Sequence, residues 1–326
     1  MMTAYRSSGE PVVLSPGSPD AVLTPDMIWL DLNDPTREEE DFVELLTGID
    51  VPTRADLRDI EPSSRLYADR HAVYLTASLM CRADSATPGL ADVAFVLTHS
   101  CLVTVRYENP KSFALFAAAL CRMDGGAASA RLTLARLLET VADRNAEILE
   151  QAEVSGDALL VRIFGENGEE PGRRKPKELE RLLNEISAHH RLISKVRTSL
   201  ATLSRVMSFL QTIEAVKQDR EVRDLCKSTA RDIQSLSEHA SFLSSNITFL
   251  LDASLGLINV EQNAIIKIFS IASVVFLPPT LVASIYGMNF KYMPELELPF
   301  GYPSSLILMV ISAVIPYVFF RWKGWL

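Results

Sequence analysis

Two uncharged runs near one end of the chain constrain its fold most. Ile268 to Met288 is 21 residues without a charged side chain, and Tyr302 to Phe320 is another 19. A run of ~20 apolar residues spans the hydrocarbon core of a bilayer. Elsewhere charge is plentiful, reaching 22% of the 326 residues overall. The expectation is a lipid-embedded protein with two C-terminal spans behind a large polar body. The opening stretch, MMTAYRSSGEPVVLSPGSPD, has no apolar core. No secretory signal is therefore expected, and the body is expected to be cytoplasmic. Lys267 precedes the first span, Arg321 and Lys323 follow the second, and Lys291 faces Glu295 and Glu297 between them. Positive charge marks the cytoplasmic side, which puts both termini there. Tyr317, Trp322 and Trp325 suit an interfacial belt at that end.

The formal charge of −9 belongs almost entirely to the polar body. An acidic body argues against nucleic acid and is compatible with cations as partners. Cys81, Cys101, Cys121 and Cys226 form no CxxC pair, so free thiols in a reducing compartment are expected. The histidines share no metal-ligand spacing with these cysteines, and no GxxxxGK[ST] is present. Neither an enzyme nor a nucleotide-driven machine is indicated.

Residues 1–125 read as mixed α/β. MIWLDL is a short strand, and Asp34 and Pro35 are placed to open the helix that follows. RLYADRHAVYLTASLM and DVAFVLTHSCLVTVRY each read as two strands about a tight turn. Residues 126–264 read as a helical stalk. Leu236, Leu243, Leu250 and Leu257 repeat at seven there, a packing seam. Nothing breaks the last stalk helix before the membrane, so stalk and span are expected to form one rod of roughly 100 Å. The remaining segments are a first span at 265–288, an outer loop at 289–301, a second span at 302–321 and a tail at 322–326.

The first span carries a polar stripe. Asn263, Ile266, Ser270, Ser273, Leu277, Thr280, Ser284 and Gly287 follow one another in steps of 3 and 4. They share one helical face. One reading is a small-residue face for helix packing. The other is a pore lining shared by symmetry-related copies, since two helices cannot enclose a pore. The second span lacks such a stripe and reads as lipid-facing.

The segment Tyr286-Gly287-Met288-Asn289, then Met293-Pro294-Glu295-Leu296 and Gly301-Tyr302-Pro303, resembles the CorA family of divalent-cation transporters. That family's loop reads YGMNF then MPEL at this spacing. The likeness reaches back through INVEQNAIIKIFSIASVVFLPPTLVAS, with weaker echoes in WLDL, DIEPSSR and ARDIQSL. The resemblance implies a homopentameric funnel in a bacterial-type inner membrane, with the first span lining the pore. It implies Mg²⁺ as cargo, with Co²⁺ and Ni²⁺ also carried. By position, Asn289 with Gly287 and Met288 would form the outer mouth, and Asn263 a second amide ring at the cytoplasmic end. Thr280 and Ser284 would lie within the pore. Ile266, Phe269 and Leu277 would be its apolar constrictions, although Phe269 falls off the stripe. The resemblance also implies Mg²⁺ as a regulatory ligand between cytoplasmic domains. Asp84, Asp92, Asp224 and Asp232 are the acids available for it.

The residue types suit this chemistry. Mg²⁺ gives up water reluctantly. A ring of carboxylates would hold it too tightly to conduct. Amide and hydroxyl oxygens instead accept from the ion's bound waters. Glu295 and Glu297 would concentrate cations at the mouth, with Lys291 opposing them. Two other readings stand: a zinc-preferring relative, whose loop departs from MPEL, and a non-conducting membrane-anchored coiled-coil scaffold, which needs no polar stripe.

Overall fold

The computed structural model describes all residues except 17–22, 58–64, 123–128, 166–175, 290–292, 295–297 and 325–326. It divides into two units, Met1–Leu251 and Asp252–Leu326. The first begins with strands β1 (Met2–Arg6), β2 (Pro11–Leu14) and β3 (Met27–Asn33). Helices α1 (Arg37–Thr47) and α2 (Arg54–Leu57) follow, then β4 (Leu66–Ala68), β5 (Ala72–Cys81), β6 (Gly89–Thr98) and β7 (Leu102–Arg106). The rest is helical: α3 (Lys111–Leu120), α4 (Ala130–Phe164), α5 (Pro176–Leu210), α6 (Glu214–Gln218) and α7 (Arg220–Tyr286). Helix α8 (Gly301–Trp322) closes the second unit.

The strands form one sheet in the order β2-β1-β3-β7-β6-β5-β4. Only the central β3–β7 pair is parallel. Period-2 alternation sorts the side chains. Leu30, Leu32, Ala94, Val96, Val103 and Val105 join Val43 of α1 and Leu57 of α2 in one buried cluster. Trp29 points to the other face, where its ring meets Phe113 and Phe116 of α3. Helix α5 covers β5 on the same unit: the Ser78 amide donates to Thr202 Oγ1 at 3.1 Å.

A buried ion pair ties the parallel strands together. Arg106 donates to Asp31 through Nε at 3.1 Å and through Nη2 at 2.8 Å. Thr104 Oγ1 donates to Asp31 Oδ1, and Trp29 Nε1 donates to Thr104 Oγ1. Both charged side chains are at least nine-tenths buried, and the guanidinium lies 4.8 Å over the Phe113 ring.

The expected hairpins are present as β4–β5 and β6–β7, and α4 is the first long helix of the stretch read as a helical stalk. The helix after β3 starts later than predicted. Asp34 does not cap it: its amide donates to Arg106 O at 2.7 Å, and its backbone is outside the extended region an N-cap takes. Its backbone sits at φ +48. Thr36 caps instead, in a reciprocal box with Glu39. The β1–β2 hairpin was not predicted. Its turn explains Gly9, which lies at φ +86 where a Cβ would collide with the Leu120 carbonyl oxygen. Gly9→Ala is expected to cost about 2 kcal/mol, because both the backbone and the contact are strained. The chemical denaturation midpoint of the purified protein measures this, and an unchanged midpoint would contradict it.

Candidate functional site

The second unit holds the predicted pore face. Both of its helices are long and apolar enough to cross a membrane. From Asp252 to Tyr286, α7 is unbroken despite Pro278 and Pro279. Those two prolines lack an N–H, so the carbonyls of Val274 and Val275 lose their helical donors. One face of the span is covered within the chain: Ile271 is 6% exposed, and Val275, Pro278 and Val282 are half-buried. The eight stripe residues, Asn263 to Gly287, are all exposed. At about 100° per residue, the stripe is centred roughly 150° from the covered face. The polar stripe thus lies away from the chain's own packing, within a wide open surface that also carries Phe276, Leu281 and Ile285.

Hydroxyls on the stripe are oriented by the helix itself. Ser273 Oγ donates to Phe269 O at 2.9 Å, and Thr280 Oγ1 donates to Phe276 O at 2.7 Å. Their protons are committed to the backbone, so what they offer outward is lone pairs. Acceptors of that kind suit the water shell of a cation. Ile266 and Leu277 interrupt the stripe as large apolar groups, and Phe269 sits at its margin, 70% exposed.

Helix α7 ends at Tyr286, with the residues expected at the mouth just beyond. The Gly287 amide still donates to Ala283 O at 2.9 Å, and Met288 N reaches Ile285 O at 3.3 Å. A Cβ on residue 287 would lie 3.0 Å from Ala283 O, so glycine suits the tight final turn. Asn289 follows, past the helix and exposed. Lys291, Glu295 and Glu297 lie outside the described residues.

The four acids considered for regulation occupy separate places. Asp84 meets Lys111 Nζ at 3.2 Å and Arg144 Nη2 at 3.0 Å. These cations hold its carboxyl below its ordinary pKa, with the Lys111 hydrogen bond the largest cause. Asp92 accepts from Ser78 Oγ at 2.5 Å and lies 3.8 Å from Arg65. Asp224 pairs with Arg223 and Arg220 on its own helix. Asp232 lies further along α7. Among the described residues of one chain, no three His, Cys, Asp or Glu side chains converge to hold a metal.

The sequence reading passed over the partners of Asp232. Glu139 and Asp143 lie on α4, one turn apart. Burial raises the pKa of Glu139 from its ordinary value, and the charges of Asp143 and Asp232 add to the shift while Arg136 opposes it. Burial likewise raises Asp143, followed by the charges of Asp232 and Glu147. The signal available in sequence was the like-charged pair four residues apart on a largely apolar helix. Its third member comes from another helix.

The CorA-like Mg2+ transporter protein family matches residues 25–322. The magnesium transport protein CorA of Haemophilus ducreyi is 34% identical over 317 residues, covering 97% of this chain and 96% of the relative. That of Pasteurella multocida is 36% identical over 302 residues, covering 92% of each. The complete structure of the CorA magnesium transporter from Methanocaldococcus jannaschii superposes with a TM-score of 0.76 at 20% identity. That match covers 100% of this chain and 99% of the other.

Proposed function

Because the chain belongs to the CorA-like Mg2+ transporter family, we propose that it is a homopentameric channel for passive uptake of hydrated Mg²⁺, with Co²⁺ and Ni²⁺ also carried. The observation that carries this reading is the carboxylate-free polar stripe on the open face of α7. Five copies would close that face around an axis. Residues 265–288 form the pore span, 289–301 the outer loop and 302–321 the outer span, with both termini cytoplasmic. Asn289 rings the mouth and accepts from the ion's waters. Glu295 and Glu297 attract cations toward it. Ser270, Ser273, Thr280 and Ser284 continue the acceptor path, and Asn263 closes it at the cytoplasmic end. Ile266, Phe269 and Leu277 form the apolar gate.

No fuel is needed. An inward divalent ion gains about 4.6 kcal/mol per 100 mV, at about 2.3 per charge. A pore driven this way must shut when the cytoplasm is replete. Asp84, Asp92, Asp224 and Asp232 would take part in that sensing between copies, since one chain brings no metal-holding group together among its described residues. The combined change of these four to Asn is expected to leave the pore conducting at high internal Mg²⁺. Flux recordings with internal Mg²⁺ varied test this, and unchanged inhibition would reject these acids as the sensor. A zinc-preferring pore is the competing reading, and parallel flux of Mg²⁺, Co²⁺, Ni²⁺ and Zn²⁺ separates the two.

A further inference from the structure

The helical part of the first unit carries opposite charge on two flanks of α7. One flank is acidic: α4 and α7 run side by side there, bridged by Arg136–Glu221 and Glu153–His239, and Asp232 lies within electrostatic reach of Glu139 and Asp143 of α4. Among the described residues, none of these three carboxylates forms an ion pair. Arg136, the nearby cation, is itself paired with Glu221 at 3.4 Å. The other flank is a groove of about 430 Å³ between α5 and α7, lined by Ser194, Arg197, Thr198, Arg205, Ser237 and Ser241. Arg197 and Arg205 stand two turns apart on α5 and are both exposed. Among the described residues, Arg197 reaches Ser244 Oγ at 3.5 Å. Neither arginine has a carboxylate partner among the described residues.

These flanks face apart. Ser241 follows Asp232 by nine residues, which at about 100° per residue is half a turn of helix. The buried side of α7, marked by Cys226, Thr229, Ile233 and Ala240, lies between them. Three of the groove's hydroxyls are already committed as donors to the backbone. Thr198 donates to Ser194 O, Ser237 to Ile233 O and Ser241 to Ser237 O. The arginines are the charged donors there.

A surface with one charge on one flank and its complement on the other suits head-to-tail association, which closes into a ring when the rotation allows. We propose that the Arg197–Arg205 groove of one copy receives the Glu139–Asp143–Asp232 flank of the next. The occupant is a second copy of this chain. This rests on the oligomeric reading above and adds the surfaces that join its subunits. The flanks are offset by roughly 10 Å along α7, at 1.5 Å per residue, so neighbouring stalks would cross at a tilt.

Cross-linking in the intact protein tests it. In a Cys121→Ser background, which removes the exposed native thiol, Asp143→Cys and Arg205→Cys are combined and treated with a short bis-maleimide. The expected result is a ladder of covalent multimers, with each single-cysteine control remaining monomeric. Dimers from Asp143→Cys alone would show two-fold pairing of acidic flanks and overturn the proposal. So would the absence of a ladder in a protein whose uncross-linked mass is that of a multimer. A monomeric mass would instead remove the oligomeric reading itself. Charge exchange supplies a second arm. Arg197→Glu with Arg205→Glu should raise the dissociation constant of the assembly at least tenfold, and adding Glu139→Lys with Asp143→Lys should restore it. If the acids serve a bound cation instead, the added changes restore nothing, which contradicts the proposal.

Discussion

Asn289→Ala abolishes Mg²⁺ entry while the protein still assembles. This is the expected outcome for the largest single functional change in the pore. The residue sits past the end of α7, exposed, beyond a glycine whose missing Cβ permits the last turn. Its carbonyl oxygen is the neutral acceptor that a hydrated divalent ion would meet first in this reading. Removing it takes an acceptor from every copy at once, and the ion must then pass an apolar ring with its shell unsupported. Losing a few water-mediated hydrogen bonds, at about 1 kcal/mol each, lowers flux at least a hundredfold. Asn289→Asp is expected to fail differently, binding Mg²⁺ more tightly and conducting it more slowly. Stopped-flow uptake with a Mg²⁺-sensitive dye distinguishes these outcomes. Normal flux through Asn289→Ala would remove the mouth from the proposed mechanism.

The largest structural effect belongs to the N-terminal sheet. Arg106→Ala leaves Asp31 buried and unpaired beneath Thr104. Breaking such a pair costs about 3–5 kcal/mol, because the remaining charge has no route to water. The same change uncovers the Phe113 ring and removes the donor to Asn109. Thermal stability in detergent should therefore fall sharply. Asp31→Leu combined with Arg106→Met should recover most of the loss, since it removes both charges while keeping apolar volume. If Arg106→Ala were as stable as the parent, the pair would not be structural.

Much of this organisation was legible because it depends on simple composition or period. Two uncharged runs mark the spans, and the steps of 3 and 4 from Asn263 to Gly287 mark a face without any coordinates. Alternation in β5 to β7 gave the hairpins for the same reason. What escaped depends on partners far apart in sequence. Asp34 looked like a helix cap until its amide was drawn into pairing with Arg106, 72 residues away. Asp31 in WLDL read as one polar residue in a strand, and only β7 shows that it is half of an ion pair. The acidic flank needs α4 and α7 side by side before Glu139, Asp143 and Asp232 become a group. The same limit applies to the stripe: spacing showed one face, and only the structure shows that the covered Ile271 side lies opposite it.

Uptake of Mg²⁺ into proteoliposomes holding only this protein, with a potassium diffusion potential imposed, tests the central proposal most directly. The expected result is entry without nucleotide, increasing as the interior is made more negative, and suppressed by Mg²⁺ on the cytoplasmic face. Absence of Mg²⁺ entry from a correctly assembled protein, or entry indifferent to the potential, would contradict it.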